Sequence, residues 1–319
     1  MNLVLTLLVK NEADVIDANI RYHLSSGVSH IIATDNGSDD GTREILEEYA
    51  NDGVLTLIDE PGKDYSQWKW VTRMAALARD RLKATWIING DADEFWWHPE
   101  HDLAKALSRA RSHVLDCERD NLVFAATDRS QEPWPEWIVY RSDNRTRISP
   151  PADRMSGALQ LPYFLHRLPT KAIVRAEGLV SVSQGNHDAR YSRPVRRTTS
   201  KIRVLHVPIR SPAQLASKVM SGGAAYDRNT ELPVEAGWHW RRWYRMLREA
   251  GIETVLHDAL PTAQMIADGL QEGSIIRDLT LKHALESIEP IIGQPGEIPS
   301  TRRLPTPGQV WTRQRPAPI

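Results

Sequence analysis

Asp91, Asp93 and Glu94 stand within four residues, directly behind the apolar run Trp86-Ile87-Ile88, in the stretch INGDADEFWW. If the segment is extended, the two aspartates flanking Ala92 can approach one site. They then repel each other unless a cation lies between them or one takes up a proton. A hard divalent ion, Mg2+ or Mn2+, meets that demand: it takes one or two carboxylates at about 2.1 Å and fills its other positions with water and phosphate oxygens. A diphosphate-bearing substrate is implied. An isolated Asp-x-Asp is more often an acidic turn or a cap, here for a helix near residue 102. The context favours chemistry, because the motif ends a buried strand and Phe95-Trp96-Trp97 would seal one side of a pocket.

A second acid, Asp35, ends an earlier apolar run in TDNGSDDGT, residues 34 to 42. Gly37 and Gly41 let backbone approach a ligand there. An acid at such a strand tip can accept hydrogen bonds from a base or ribose. Turn chemistry with a helix cap at Asp39 or Asp40 explains the same residues equally well.

These acids need a frame, and the first hundred residues supply one. Leu3 to Val9 is a continuous apolar run, as in a strand buried on both faces. Ile16, Ile20 and Leu24 then make one helical stripe over residues 12 to 25. Strands follow at 30–34, 54–58 and 85–89, with helices around Ile45 to Tyr49 and over 67 to 83. Strand and helix in this alternation form a parallel sheet covered on both faces. The fold class is α/β, and ligands bind beyond the carboxyl ends of such strands.

The regularity fades after residue 100. Strands at 122–126, 171–175, around 180–182 and at 202–207 lack intervening helices, and residues 238 to 249 return to helix with Trp240, Trp243 and Leu247 on one side. That tryptophan stripe suits core packing or a membrane interface. RYSRPVRRTTSKIR, residues 190 to 203, reads as a solvated loop or a cover over an anionic ligand. The organisation expected is a ligand-binding half over 1–100, an acceptor or catalytic half over 101–289, and a proline-rich disordered tail over 290–319.

Composition narrows the partners. Forty basic and 41 acidic residues leave a formal charge of -1, so no global field recruits nucleic acid. The single cysteine, Cys117, excludes a disulfide framework and suits a reducing compartment. The N-terminus has no basic leader, and no apolar stretch reaches the roughly 20 residues of a membrane span. Cytoplasm is expected, with at most peripheral contact at the inner face of a membrane.

Taken together, a first strand ending in VKNE, the turn DNGSDDGT and the central DADEFW resemble an inverting family-two glycosyltransferase of the nucleotide-sugar-binding GT-A type, over residues 3 to about 97. The resemblance implies a GT-A mixed sheet flanked by helices, a metal-dependent transfer of a sugar from a nucleoside diphosphate to an acceptor hydroxyl, and a role in glycan or cell-surface polysaccharide synthesis. The acceptor is a glycan, a lipid-linked group or a small molecule. Asp35 would contact the nucleoside, with Lys10, Asn11 and Glu12 lining the same pocket. Asp91 would lie near ribose or metal, and Asp93 would bind the metal. Asn36 stands where the family often has aspartate, which leaves the second acidic contact open.

Such a site also needs a general base. By the same resemblance it is an acid in the second half, and Asp128, Glu132, Glu177 and Asp188 are candidates, with Glu132 and Asp188 preferred. LHVPIRS looks like the family segment that brings a late histidine to metal or diphosphate, which nominates His206, and His187 in SQGNHDARY is the other candidate. A neutral core imidazole is the commoner fate of either. Arg210 and Lys218 can pair with a diphosphate, one by a bidentate fork and the other as a point charge. Two alternatives stay open. A nucleotidyltransferase making the activated sugar would want a glycine-rich loop where VKNEADVI has none, and a non-catalytic nucleotide- or glycan-binding relative would have little use for intact Asp91 and Asp93.

Overall fold

The structure, a computed structural model, describes residues 1–62, 67–143, 151–228 and 237–288. The tail expected over 290–319 lies outside the described residues.

Four parallel strands form the frame: β1 (Leu3–Val9), β2 (His30–Asp35), β3 (Leu55–Asp59) and β4 (Trp86–Asp91). They are linked by α1 (Ile16–Ser25), α2 (Thr42–Asn51) and α3 (Gln67–Asp80). β1 sits between β2 and β4 because its apolar run is buried on both faces. Register puts Leu8 beside both Thr34 and Asp91, and Val9 beside Asp35. The carboxyl ends therefore form one rim carrying Lys10 to Glu12, Asp35 and Asp91.

The rest of the chain extends this sheet. It contains β5 (Glu94–Trp97), α4 (Leu103–Ser108), β6 (Val114–Val123), α5 (Trp134–Trp137), β7 (Tyr140–Ser142), β8 (Lys171–Arg175), β9 (Leu179–Val182), β10 (Ala189–Tyr191) and β11 (Arg197–His206). After these come α6 (Pro212–Arg228), α7 (Trp238–Ala250), α8 (Ile252–Ala259), α9 (Ala263–Glu272), β12 (Ile275–Arg277) and α10 (Thr280–Glu286). The strand order is β12-β7-β6-β8-β4-β1-β2-β3, with β5 joined through β11 and β9 paired with β10 apart. β8 runs antiparallel between β4 and β6, so the sheet is mixed. This is the mixed α/β sheet with flanking helices that the sequence implies.

Several boundaries differ from expectation for local reasons. The first helix begins at Ile16 rather than 12, because Asn11 takes a left-handed φ of 54° and turns the chain at the rim. The third ends at Asp80 rather than 83. β6 starts at Val114, eight residues before its apolar end, since the acidic and basic residues of DCERDN conceal the strand. β11 starts at Arg197, so much of the basic stretch 190–203 is strand rather than loop. Asp102 caps α4 by accepting from the Lys105 N–H at 2.7 Å, so the helix near 102 has its own cap and leaves the acids at 91–94 free of that duty. On α7, Trp243 is fully buried and packs edge-on against Tyr163. Arg242 is buried beside it, forked onto Asp258. No described helix is long and apolar enough to cross a membrane.

Candidate functional site

The turn after β4 divides the acids by depth. Asp91 is partly exposed, Ala92 is buried, Asp93 is 3% exposed and Glu94 is fully buried at the start of β5. Asn19 on α1 holds the turn by donating through Nδ2 to the carbonyls of Ala92 and Glu94, both at 2.9 Å. Carboxylates this deep require counterions.

Two lysines supply them from opposite sides. Lys171, the first residue of β8, lies beside β4 through the antiparallel pairing. Its side chain is 2% exposed, and the ammonium lies 2.8 Å from Asp91 and 2.9 Å from Glu94. Burial nonetheless pushes the Glu94 carboxyl up to about 7, against the pull of Lys171. Lys218, on α6, reaches Asp93 Oδ2 at 2.6 Å and Glu12 Oε1 at 3.0 Å. Burial opposes the charge on Lys218, but Asp93 and Glu12 more than offset it and its pKa is raised. Burial likewise opposes ionisation of Asp93, yet Lys218 and the neighbouring Arg210 hold it well below the usual carboxylate range.

Arg210 completes the wall. Its side chain is 1% exposed, and Nε and Nη2 fork onto Asp14, each at 2.8 Å. Nη2 also meets Glu12, and Nη1 donates to the Val207 carbonyl at 3.2 Å. Glu12 is thus held from above by Arg210 and Lys218 and from below by its own N–H donating to Thr42 Oγ1 at 2.8 Å.

His206, the last residue of β11, lies opposite Glu94 in register. Asn121 donates through Nδ2 to the Phe164 carbonyl at 3.3 Å, so its Oδ1 faces His206 Nδ1 at 2.8 Å. That network assigns the proton to Nδ1 and leaves Nε2 as a bare acceptor, 3.7 Å from Asp93 Oδ1. Burial lowers the ring's pKa to about 4, so no second proton fills the gap at neutral pH. Two acceptors facing each other call for a cation or a donor between them, and a histidine whose other nitrogen is bound to a fixed acceptor is how metal ligands are oriented. Among the described residues no three His, Cys, Asp or Glu side chains form a ready cage. A two-ligand seat still fits Mg2+ or Mn2+, which complete their shells with phosphate and water. The fitting pair is Asp93 with His206, whereas Asp91 is turned to Lys171.

The other expected residues are placed as follows. Asp35 is 1% exposed and accepts from the hydroxyl and N–H of Ser38 at 2.6 and 3.1 Å, so in this structure its carboxylate organises its own turn. Asn11 and Asp39 exchange hydrogen bonds at 2.8 and 3.0 Å, and Asn36 ties to the carbonyls of Glu60 and Gly62. Lys10 is exposed and donates to the Asn36 carbonyl at 3.0 Å. His187 donates through Nδ1 to the Thr170 carbonyl, 2.8 Å away, and burial lowers its pKa to about 4. The acids considered as base are not gathered at Asp93. Glu132 and Asp128 are exposed, Asp188 is on the surface paired with Arg197, and Glu177 is 86% exposed beside Arg193. Sequence reasoning missed Lys171 and the counterion role of Glu12, and the one signal was a lysine opening the apolar run KAIVR.

Residues 8–200 match the family model of glycosyltransferase family 92. The chain belongs to that family. The motifs resembled family two, so what the match shares with that reading is the glycosyltransferase class. No curated protein sequence matches this family 92 member. Among solved structures it is similar to S. aureus TarS 1-349, at 13% identity over 78% of this chain and 73% of that one, with a TM-score of 0.37. TarS 1-349 in complex with UDP-GlcNAc gives 12% identity over the same shares and a TM-score of 0.35. HddC from Yersinia pseudotuberculosis gives 11% identity over 65% of this chain and 95% of that one, with a TM-score of 0.33. Superpositions of this quality carry no functional argument.

Proposed function

We propose that this family 92 member transfers a sugar from a nucleoside diphosphate to an acceptor hydroxyl, with inversion and with a divalent ion at Asp93 and His206. The observation that supports it best is the convergence of Asp93, His206, Lys218 and Arg210 at the carboxyl rim of the sheet, where such ligands bind. A cation there is a Lewis acid toward the departing diphosphate. Lys218 is placed to add a point charge on the same leaving group, since its side chain is partly exposed and bridges Asp93 and Glu12. Arg210, tied to Asp14 and Glu12, holds that bridge in place. Asp91, partly exposed at the end of β4, and the Lys10–Asn11–Glu12 turn beside it would border the sugar and nucleoside.

Inversion is the course that the sequence resemblance implies. The nucleotidyltransferase alternative is disfavoured by the family match and by the glycine-free turn after β1.

Two measurements test the reading. A panel of nucleotide sugars with Mn2+ should show consumption of one donor, and the anomeric configuration of the product, read by NMR, should be inverted. Asp93→Ala should abolish Mn2+-dependent binding of the donor nucleotide by calorimetry while circular dichroism stays that of the folded protein. Donor binding that survives in Asp93→Ala would refute the assignment.

A further inference from the structure

A cavity of about 510 Å³ lies along β5, β6 and β11. Asn121 and Phe164 are in its wall, and both also flank His206, through the 2.8 Å bond to Nδ1 and an edge-on ring contact at 5.9 Å. Arg119, another wall residue, reaches toward Glu94 at 3.6 Å. The cavity therefore adjoins the inner end of the candidate site, on the β6 side and away from the rim of β2 and β3.

Its lining combines an aromatic face with fixed polar groups. Trp97 is half-buried, with the Arg203 guanidinium 5.7 Å from its ring centre. Arg203 is held by Asp120 at 2.6 Å, Arg167 by Glu118 at 3.0 Å and Arg141 by Asp278 at 2.7 Å. Side chains locked in pairs present donors and acceptors in set directions, which suits ring hydroxyls, and an indole face suits the C–H face of a sugar. The charge is unequal. Arg119, Arg141, Arg167 and Arg203 each face an acid, Glu94, Asp278, Glu118 and Asp120 in turn, whereas Lys201 is exposed with no ion-pair partner among the described residues.

We propose that this cavity binds the acceptor, and that the acceptor carries an anionic group on a sugar ring. Trp97 stacks on the ring and the ammonium of Lys201 meets the anion. The assignment rests on the transferase reading, while its test does not need turnover. The full-length protein is titrated with glucuronic acid, glucose 6-phosphate and glucose, and binding is followed by saturation-transfer NMR. The expected result is that one or both anionic sugars bind more tightly than glucose, and which one does so separates a carboxylate from a phosphate source. Trp97→Ala should weaken all binding by about tenfold. Lys201→Glu, at an exposed position that folding does not depend on, should weaken the anionic sugars by about threefold and leave glucose unchanged. Anionic sugars that bind no better than glucose, or that ignore Lys201→Glu, overturn the proposal. Sugar binding that follows this pattern in a protein that consumes no nucleotide sugar would overturn the transferase reading alone.

Discussion

Lys171→Met removes a buried ammonium and keeps most of the side-chain volume. In the native fold the Lys171 side chain is 2% exposed and its ammonium lies 2.8 and 2.9 Å from Asp91 and Glu94. Breaking a buried pair by deleting one partner costs about 3–5 kcal/mol, because an uncompensated charge stays behind. Here two carboxylates are left, so the loss should fall at the upper end of that range at pH 8. The pH dependence gives a second handle. Glu94 titrates at about 7 in the fold against 4.5 unfolded, so the folded state binds the extra proton and stability declines as pH rises from 4.5 to 7. Lys171 is among the groups that lower that value, so in the variant the decline continues beyond 7. One further pH unit is worth about 1.4 kcal/mol. Urea unfolding at pH 5 and pH 8 should therefore show the variant's deficit growing by about 1 kcal/mol between them. Adding Glu94→Gln should recover part of the deficit at pH 8. A Lys171→Met protein within about 1 kcal/mol of wild type at both pH values would refute the counterion argument.

Arg210→Lys retains charge but cannot reproduce the fork onto Asp14 together with the contact to Glu12, so it should lower stability by about 3 kcal/mol in denaturant titration and weaken donor binding as well. His23 and His239 are buried with pKa values lowered to about 4 and about 3, both by desolvation. The unfolded chain protonates them first as pH falls below 6.5, so stability should drop between pH 6.5 and 4 by about 3 kcal/mol for His23 alone. His23→Asn melts across that range should show a shallower slope than wild type.

The first four strands were legible because each is a run of apolar residues bounded by turn chemistry, and a strand buried on both faces leaves that mark in one dimension. The start of β6 was not, because its polar residues alternate with buried ones only when β8 and β11 lie beside it. Asp93 could be singled out from spacing alone. Its depth and its pairing with Lys218 could not, since Lys218 lies 125 positions away and reaches it only after α6 has packed, and His206 was named only through the family resemblance. Lys171 was missed for the same kind of reason: its two acids come within reach only because β8 runs against β4. Glu132 and Asp188 rested on the resemblance, which asks only for an acid in the second half, and the chain carries both to exposed positions.

The join between Glu12 and Arg210 spans 198 positions. During synthesis Glu12 and Asp93 leave the ribosome well before the Arg210 and Lys218 that pair with them in the native fold. A fragment that stops at residue 200, where the family match ends, would contain every strand of the parallel frame and still lack the two cations that close its rim. Such a fragment should be insoluble or should require high salt, and the shortest self-sufficient form of the protein must run past the first turns of α6.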